Sequence, residues 1–184
     1  DDSGSVCRRG GGHGKGKAVD GRQHQGQGQG HGKGRAGGGH GQQGNHGNHA
    51  KMADARELVH NHTLIERKIE DIPGGVRTVT TSKDAELVVK LQRHVTDMKE
   101  ILENGGRVRG WDPLFVELFE HADEIEMKIE RLENGLEVRE TSENPRVTQL
   151  IRAHARKVDE FVAEGPDAAH RPTEVPAEIP VEEA

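Results

Sequence analysis

Residues 58–105 and 118–165 align at an offset of sixty without a gap, and 12 of the 48 positions are identical. The identities include Leu58/Leu118, Ile65/Ile125, Ile69/Ile129, Gly75/Gly135, Thr81/Thr141, Ser82/Ser142, His94/His154 and Gly105/Gly165. Most of the remaining pairs keep their polarity. A unit of this size cannot bury both faces of its own elements, so two copies must pack together. The repeat therefore narrows the fold before any single element is considered.

Each copy reads as helix, hairpin, helix. In the first, Asp54 followed by Glu57 resembles a capping box opening a helix over about 55–64. Residues 65–72 and 76–82 flank Pro73-Gly74-Gly75 and carry β-branched side chains, which predicts a β-hairpin. Asp84 can cap a long helix that ends at Gly105-Gly106. Leu87, Leu91, His94, Met98 and Ile101 recur at steps of three and four along it, forming one apolar face with a histidine inside.

After the linker GGRVRG, Asp112 before Pro113 marks a helix start. That helix carries the stripe Leu114, Phe115, Leu118 and Phe119. Residues 125–132 and 136–142 form a second hairpin around Glu133-Asn134-Gly135. Asn144 before Pro145 opens a second long helix, which Gly165-Pro166 stops. Its stripe is Val147, Leu150, Ile151, His154, Val158 and Phe161. The expected class is α+β: a duplicated α-β-β-α unit, a four-stranded antiparallel sheet packed with helices, and a pseudo-two-fold axis. The expected boundaries are a single domain over 52–165, with halves 52–105 and 112–165, between disordered tails at 1–51 and 166–184.

Composition supports those boundaries. Residues 1–50 hold 18 of the 25 glycines and 6 of the 12 histidines, with few large apolar side chains. Glycine this dense costs too much backbone entropy to order without compensation. Of the formal charge of −6, this segment contributes +4, so the remainder carries −10. An acidic folded part argues against a nucleic-acid groove, which needs clustered Lys and Arg. With Cys7 as the single cysteine, no intramolecular disulfide and no CxxCH haem attachment is available. No apolar run reaches bilayer length. The chain begins with Asp, as removal of a signal peptide would leave it, so a periplasmic or secreted location is expected.

The stretches GGVRTVTTS, KLQRHVTDM, GWDPLF and NPRVTQLIRAHA resemble an uncharacterised family of small, apparently exported bacterial proteins. The resemblance covers roughly residues 58–171, and Trp111-Asp112-Pro113-Leu114-Phe115 is its most distinctive part. It implies the fold boundaries and an exported location, and no activity or cofactor comes with it.

The candidate site is built on the two long helices. His94 and Met98, four residues apart, let imidazole and thioether converge on one ion, as a soft-ligand copper site requires. His154 completes the set if the helices cross near the two-fold, with Val158 standing where Met98 stood. Haem b is the second cofactor choice, held between His94 and His154 in an apolar slot. Three Phe, one Trp and no Tyr are few aromatic rings to line such a slot. His62 and His121, at the ends of the short helices, join this centre if those ends fold over the long helices. Histidines along the tail would act as auxiliary metal collectors.

These residues also have a plain structural use. A histidine in an apolar stripe commonly bonds a carbonyl or carboxylate, and methionine commonly fills a core. No phosphate loop, nucleophile elbow or outstanding carboxylate pair is present, so a non-catalytic protein is expected. Copper or haem binding is the first reading. The alternative is an accessory or interaction module with structural histidines, whose protein partner docks on the sheet or around Trp111; an exposed Trp111 favours it. The oligomeric state is not legible in the sequence.

Overall fold

A computed structural model describes residues 51–178. The tail expected over 1–51 lies outside the described residues except for Lys51, as do residues 179–184. In chain order the elements are α1 (Ala53–His60), a 3₁₀ turn (His62–Leu64), β1 (Ile65–Ile72), β2 (Gly75–Ser82) and α2 (Ala85–Glu103). They continue with α3 (Pro113–Glu120), a 3₁₀ turn (Ala122–Glu124), β3 (Glu126–Leu132), β4 (Gly135–Thr141), α4 (Pro145–Glu164) and α5 (Pro166–Ala169).

The caps explain most of these boundaries. Asp84 accepts from the amides of Glu86 and Leu87, Asp112 from Leu114, and Asn144 from Arg146. Each side chain satisfies donors that the first helical turn leaves without partners. The first helix departs from expectation. Met52, not a residue of the 54–57 pair, occupies its N-cap and makes no side-chain cap. Asp54 lies inside the helix, buried, with its carboxylate held by the Arg93 guanidinium at 2.5 and 2.6 Å. A partner on α2 took the carboxylate that the local pattern assigned to the helix's own amides.

The four strands form one antiparallel sheet in the order β1-β2-β4-β3. Two-residue turns close both hairpins, since Ile72 pairs with Gly75 and Leu132 with Gly135. Gly74 supplies the positive φ, +73°, that follows proline in such a turn. β2 and β4 meet in the middle with Thr78 opposite Val138, Gly75 opposite Thr141 and Thr81 opposite Gly135.

The helices cover one face of the sheet, where Ile65, Val76, Leu136 and Val138 are buried. The long helices do not lie on their own hairpins. α2 follows β2 yet rests mainly on β4 and β3, while α4 rests mainly on β2 and β1. The clusters show the same crossing. Leu87 and Leu91 of α2 pack with Leu136 and Val138 of β4. Val147, Leu150, Ile151 and Ala155 of α4 pack with Val76 of β2 and with Leu114 and Leu118 of α3. A third cluster joins Ile101, Val108 and Phe115, with Met52, Met98, Phe119 and Phe161 against it.

The opposite face of the sheet is a lattice of matched charge. Arg77 pairs with Glu70 at 3.2 Å and Glu137 at 2.5 Å, and Arg139 also reaches Glu137 at 2.9 Å. Hydrogen bonds from Arg77 and then Arg139 hold the Glu137 carboxyl down at about 2.

The Pro- and Glu-rich end is not a tail from residue 166 onward. After α5, residues 171–178 run as an extended strap fixed to the domain. The Thr173 amide and hydroxyl donate to Asp112 at 3.3 and 3.0 Å, and Arg146 donates to the Pro176 carbonyl at 2.6 Å. Val175 packs against the α4 cluster. The expectation from sequence was a disordered tail over 166–184, of which 166–178 lie among the described residues. The order comes instead from polar groups elsewhere in the chain.

Candidate functional site

The five residues singled out by spacing meet different partners in the fold. His62 sits on the 3₁₀ turn before β1, and its Nδ1–H donates to the Val162 carbonyl at 2.8 Å, near the end of α4. A Cβ on Gly165 would fall 2.4 Å from that imidazole ring, so the glycine makes room for it. His121 is the C-cap of α3, with Nδ1 2.7 Å from Glu124 Oε1. Glu124 also accepts from Asn144 at 2.7 Å. His62 ties the turn before β1 to the end of α4, while His121 makes a local contact just after α3.

His94 and His154 differ from these. Each has an Nδ1 sealed from solvent with no hydrogen-bond partner. Burial pushes the His94 imidazole below its ordinary range, against the opposing pull of Asp54, Asp97 and a hydrogen bond with the Lys51 backbone. His154 is shifted the same way, by burial first, with Glu140 opposing and Arg67 adding to the shift. Its ring stands edge-on to Phe115, centroids 5.1 Å apart. Its Nδ1 lies 3.9 Å from Glu140 Oε2, beyond hydrogen-bond reach.

Met98 packs beside the Ile101–Val108–Phe115 cluster. Among the described residues, no group of three or more His, Cys, Asp or Glu side chains is placed to hold a metal ion. The charges that act on His154 are mixed, with the carboxylates of Glu140 and Asp112 set against the guanidinium groups of Arg67 and Arg109.

The most elaborate construction in the domain centres on residues that spacing did not single out. Arg109 has φ +49°, a left-handed conformation uncommon outside glycine. Its guanidinium lies 4.3 Å from the Trp111 ring centroid and 5.0 Å from those of Phe115 and Phe161. It donates to the Ala169 carbonyl at 2.6 Å and to Asp112 Oδ2 at 2.9 Å. Asp112 is fully buried and binds α3, Arg109 and Thr173 together. One carboxylate and one guanidinium thus join the linker, α3 and the strap. The signal in the sequence was an arginine two residues before the Trp-Asp-Pro run and three before its aspartate, and helical periodicity does not weigh such a pair.

This arrangement presents Trp111 outward, 55% exposed, although the chain has no other tryptophan. Beside it lies an open groove of about 460 Å³, lined by Trp111, Pro113, Val116, Glu117 and Glu120 of the α3 region and by Val175 of the strap. Pro113, Val116, Glu117 and Glu120 share the outer face of α3. Glu117 accepts from Arg146 at 2.7 Å, while Glu120 is half exposed with Arg107 at 3.9 Å. Among the described residues no helix is long and apolar enough to cross a membrane. The chain matches no protein-family model, no curated protein and no solved structure.

Proposed function

We propose that this protein is a non-catalytic interaction module that docks a protein partner in the groove beside Trp111. The observation that carries the reading is the exposed indole. A large aromatic ring lies against the Arg109 guanidinium and turns outward beside an open groove. Tryptophan and arginine dominate binding energy at interfaces, and preorganisation lowers the entropic cost of docking. The open sheet face, which also qualified as a docking surface, is a weaker choice because its charges already satisfy one another.

A photo-crosslinking residue in place of Val116, in protein made in its native host, should yield a discrete adduct that Trp111→Ala abolishes. The same probe at Lys68, on the open sheet face, should not yield it. Equal labelling from both positions would rule the groove out.

The second reading is histidine-based metal binding by an exported protein, copper favoured and haem next, through His94, Met98 and His154. Its support is the pair of sealed, unpartnered Nδ1 atoms. A chain starting at Lys51 should then take up one Cu(I), and His94→Ala should abolish the uptake. Uptake unchanged by that substitution would remove the assignment.

We also read the fold as an internal duplication about a pseudo-two-fold axis. Support comes from the offset of sixty and from the central register, in which Gly75 and Gly135 each face a threonine.

A further inference from the structure

We infer that the Trp111 groove takes an arginine side chain from an extended basic segment of its partner; this rests on the docking reading above. The chemistry is already present on one side of the ring, where the Arg109 guanidinium lies 4.3 Å from the indole centroid. Guanidinium stacks on tryptophan better than ammonium does, because it is planar and weakly hydrated. Within the same groove stand two carboxylates, Glu117 and Glu120. Indole offers stacking and carboxylate offers paired hydrogen bonding, the two kinds of interaction a guanidinium makes.

Glu117 is engaged by Arg146, with the side chain 28% exposed. Glu120 is the freer of the two, 53% exposed and 3.9 Å from Arg107. It is the carboxylate assigned to the incoming arginine. Residues 51–184 carry a net charge of −10, so the long-range field also draws a basic partner. Pro113, Val116 and Val175 add apolar lining suited to the stem of a long side chain.

Because Trp111 is the single tryptophan and the chain has no tyrosine, its fluorescence reports the groove directly in the full chain. The probe is a synthetic peptide of three Gly-Arg-Gly repeats, compared with the same peptide carrying lysine. The arginine peptide should change Trp111 emission saturably. The midpoint should weaken at least tenfold with Glu120→Gln, and at least severalfold with the lysine peptide. Calorimetry with Trp111→Ala, its fold verified by circular dichroism, should show the arginine peptide no longer binding.

Absence of a saturable change would overturn the inference. So would equal binding of the arginine and lysine peptides, or binding indifferent to Glu120→Gln. If these failures occur while the Val116 adduct persists, docking at the groove stands and the arginine assignment falls.

Discussion

Replacing Asp112 with alanine should lower the stability of the domain by about 3–5 kcal/mol, the usual cost of removing one partner from a buried ion pair. The carboxylate has no solvent exposure. Its loss leaves the Arg109 guanidinium without its charge partner and removes the cap on α3. It also removes both bonds to Thr173. Chemical denaturation should show the loss as a lower midpoint, and the thermal midpoint should fall by roughly 10 °C or more.

Hydrogen exchange distinguishes this mechanism from a general weakening. The strap over 171–178 should lose protection before the sheet does, because Asp112 is what ties it down. Asp112→Asn should fall between wild type and alanine, since an amide keeps an acceptor for the Leu114 amide but not the charge. A loss under 1 kcal/mol for Asp112→Ala would mean that the carboxylate is not the tie described.

A comparable effect is expected at the centre of the sheet. A Cβ added at Gly75 would lie 1.8 Å from the Glu140 carbonyl oxygen, and one at Gly135 would lie 2.0 Å from that of Thr80. Both obstacles are backbone, which cannot rotate aside as a side chain would. Gly75→Ala or Gly135→Ala must therefore force β2 and β4 apart. Overpacking commonly costs 1–3 kcal/mol, and a rigid obstacle places these substitutions at about 3 kcal/mol or more. Gly110→Ala is the control, because its Cβ would meet nothing within 4 Å. It should stay within about 0.5 kcal/mol of wild type in the same denaturation experiment. If Gly75→Ala proved as mild as Gly110→Ala, the close approach of the central strands would be wrong.

These two predictions mark where sequence reading succeeded and where it stopped. The strands, both hairpins and both long helices were legible because each rests on local rules of alternation, 3.6-residue periodicity and capping. Asp84, Asp112 and Asn144 cap as expected. Asp54 looked the same by pattern but bonds Arg93, a residue 39 positions away. A local signature cannot rank its own partner against a distant one.

The candidate site suffered from the same limit. Spacing put His94 and Met98 on one helix face, but the face alone does not say what packs against it. The surroundings of His94 hold Asp54 and Asp97, and those of His154 hold Phe115 and Glu140. Arg109 was missed because its importance comes from three rings, two of them, Phe115 and Phe161, on separate helices.

The sequence by itself determined the elements and their order. Those follow from hydrophobic period, turn residues and caps, all of which act within a few residues. Only the tertiary structure decided that each long helix lies mainly over the hairpin it does not follow, that Asp112 anchors a strap through Thr173, 61 residues downstream, and that Trp111 faces outward. These depend on which buried surfaces and charges meet across the chain, and burial free energy is not directional enough for local pattern to specify that.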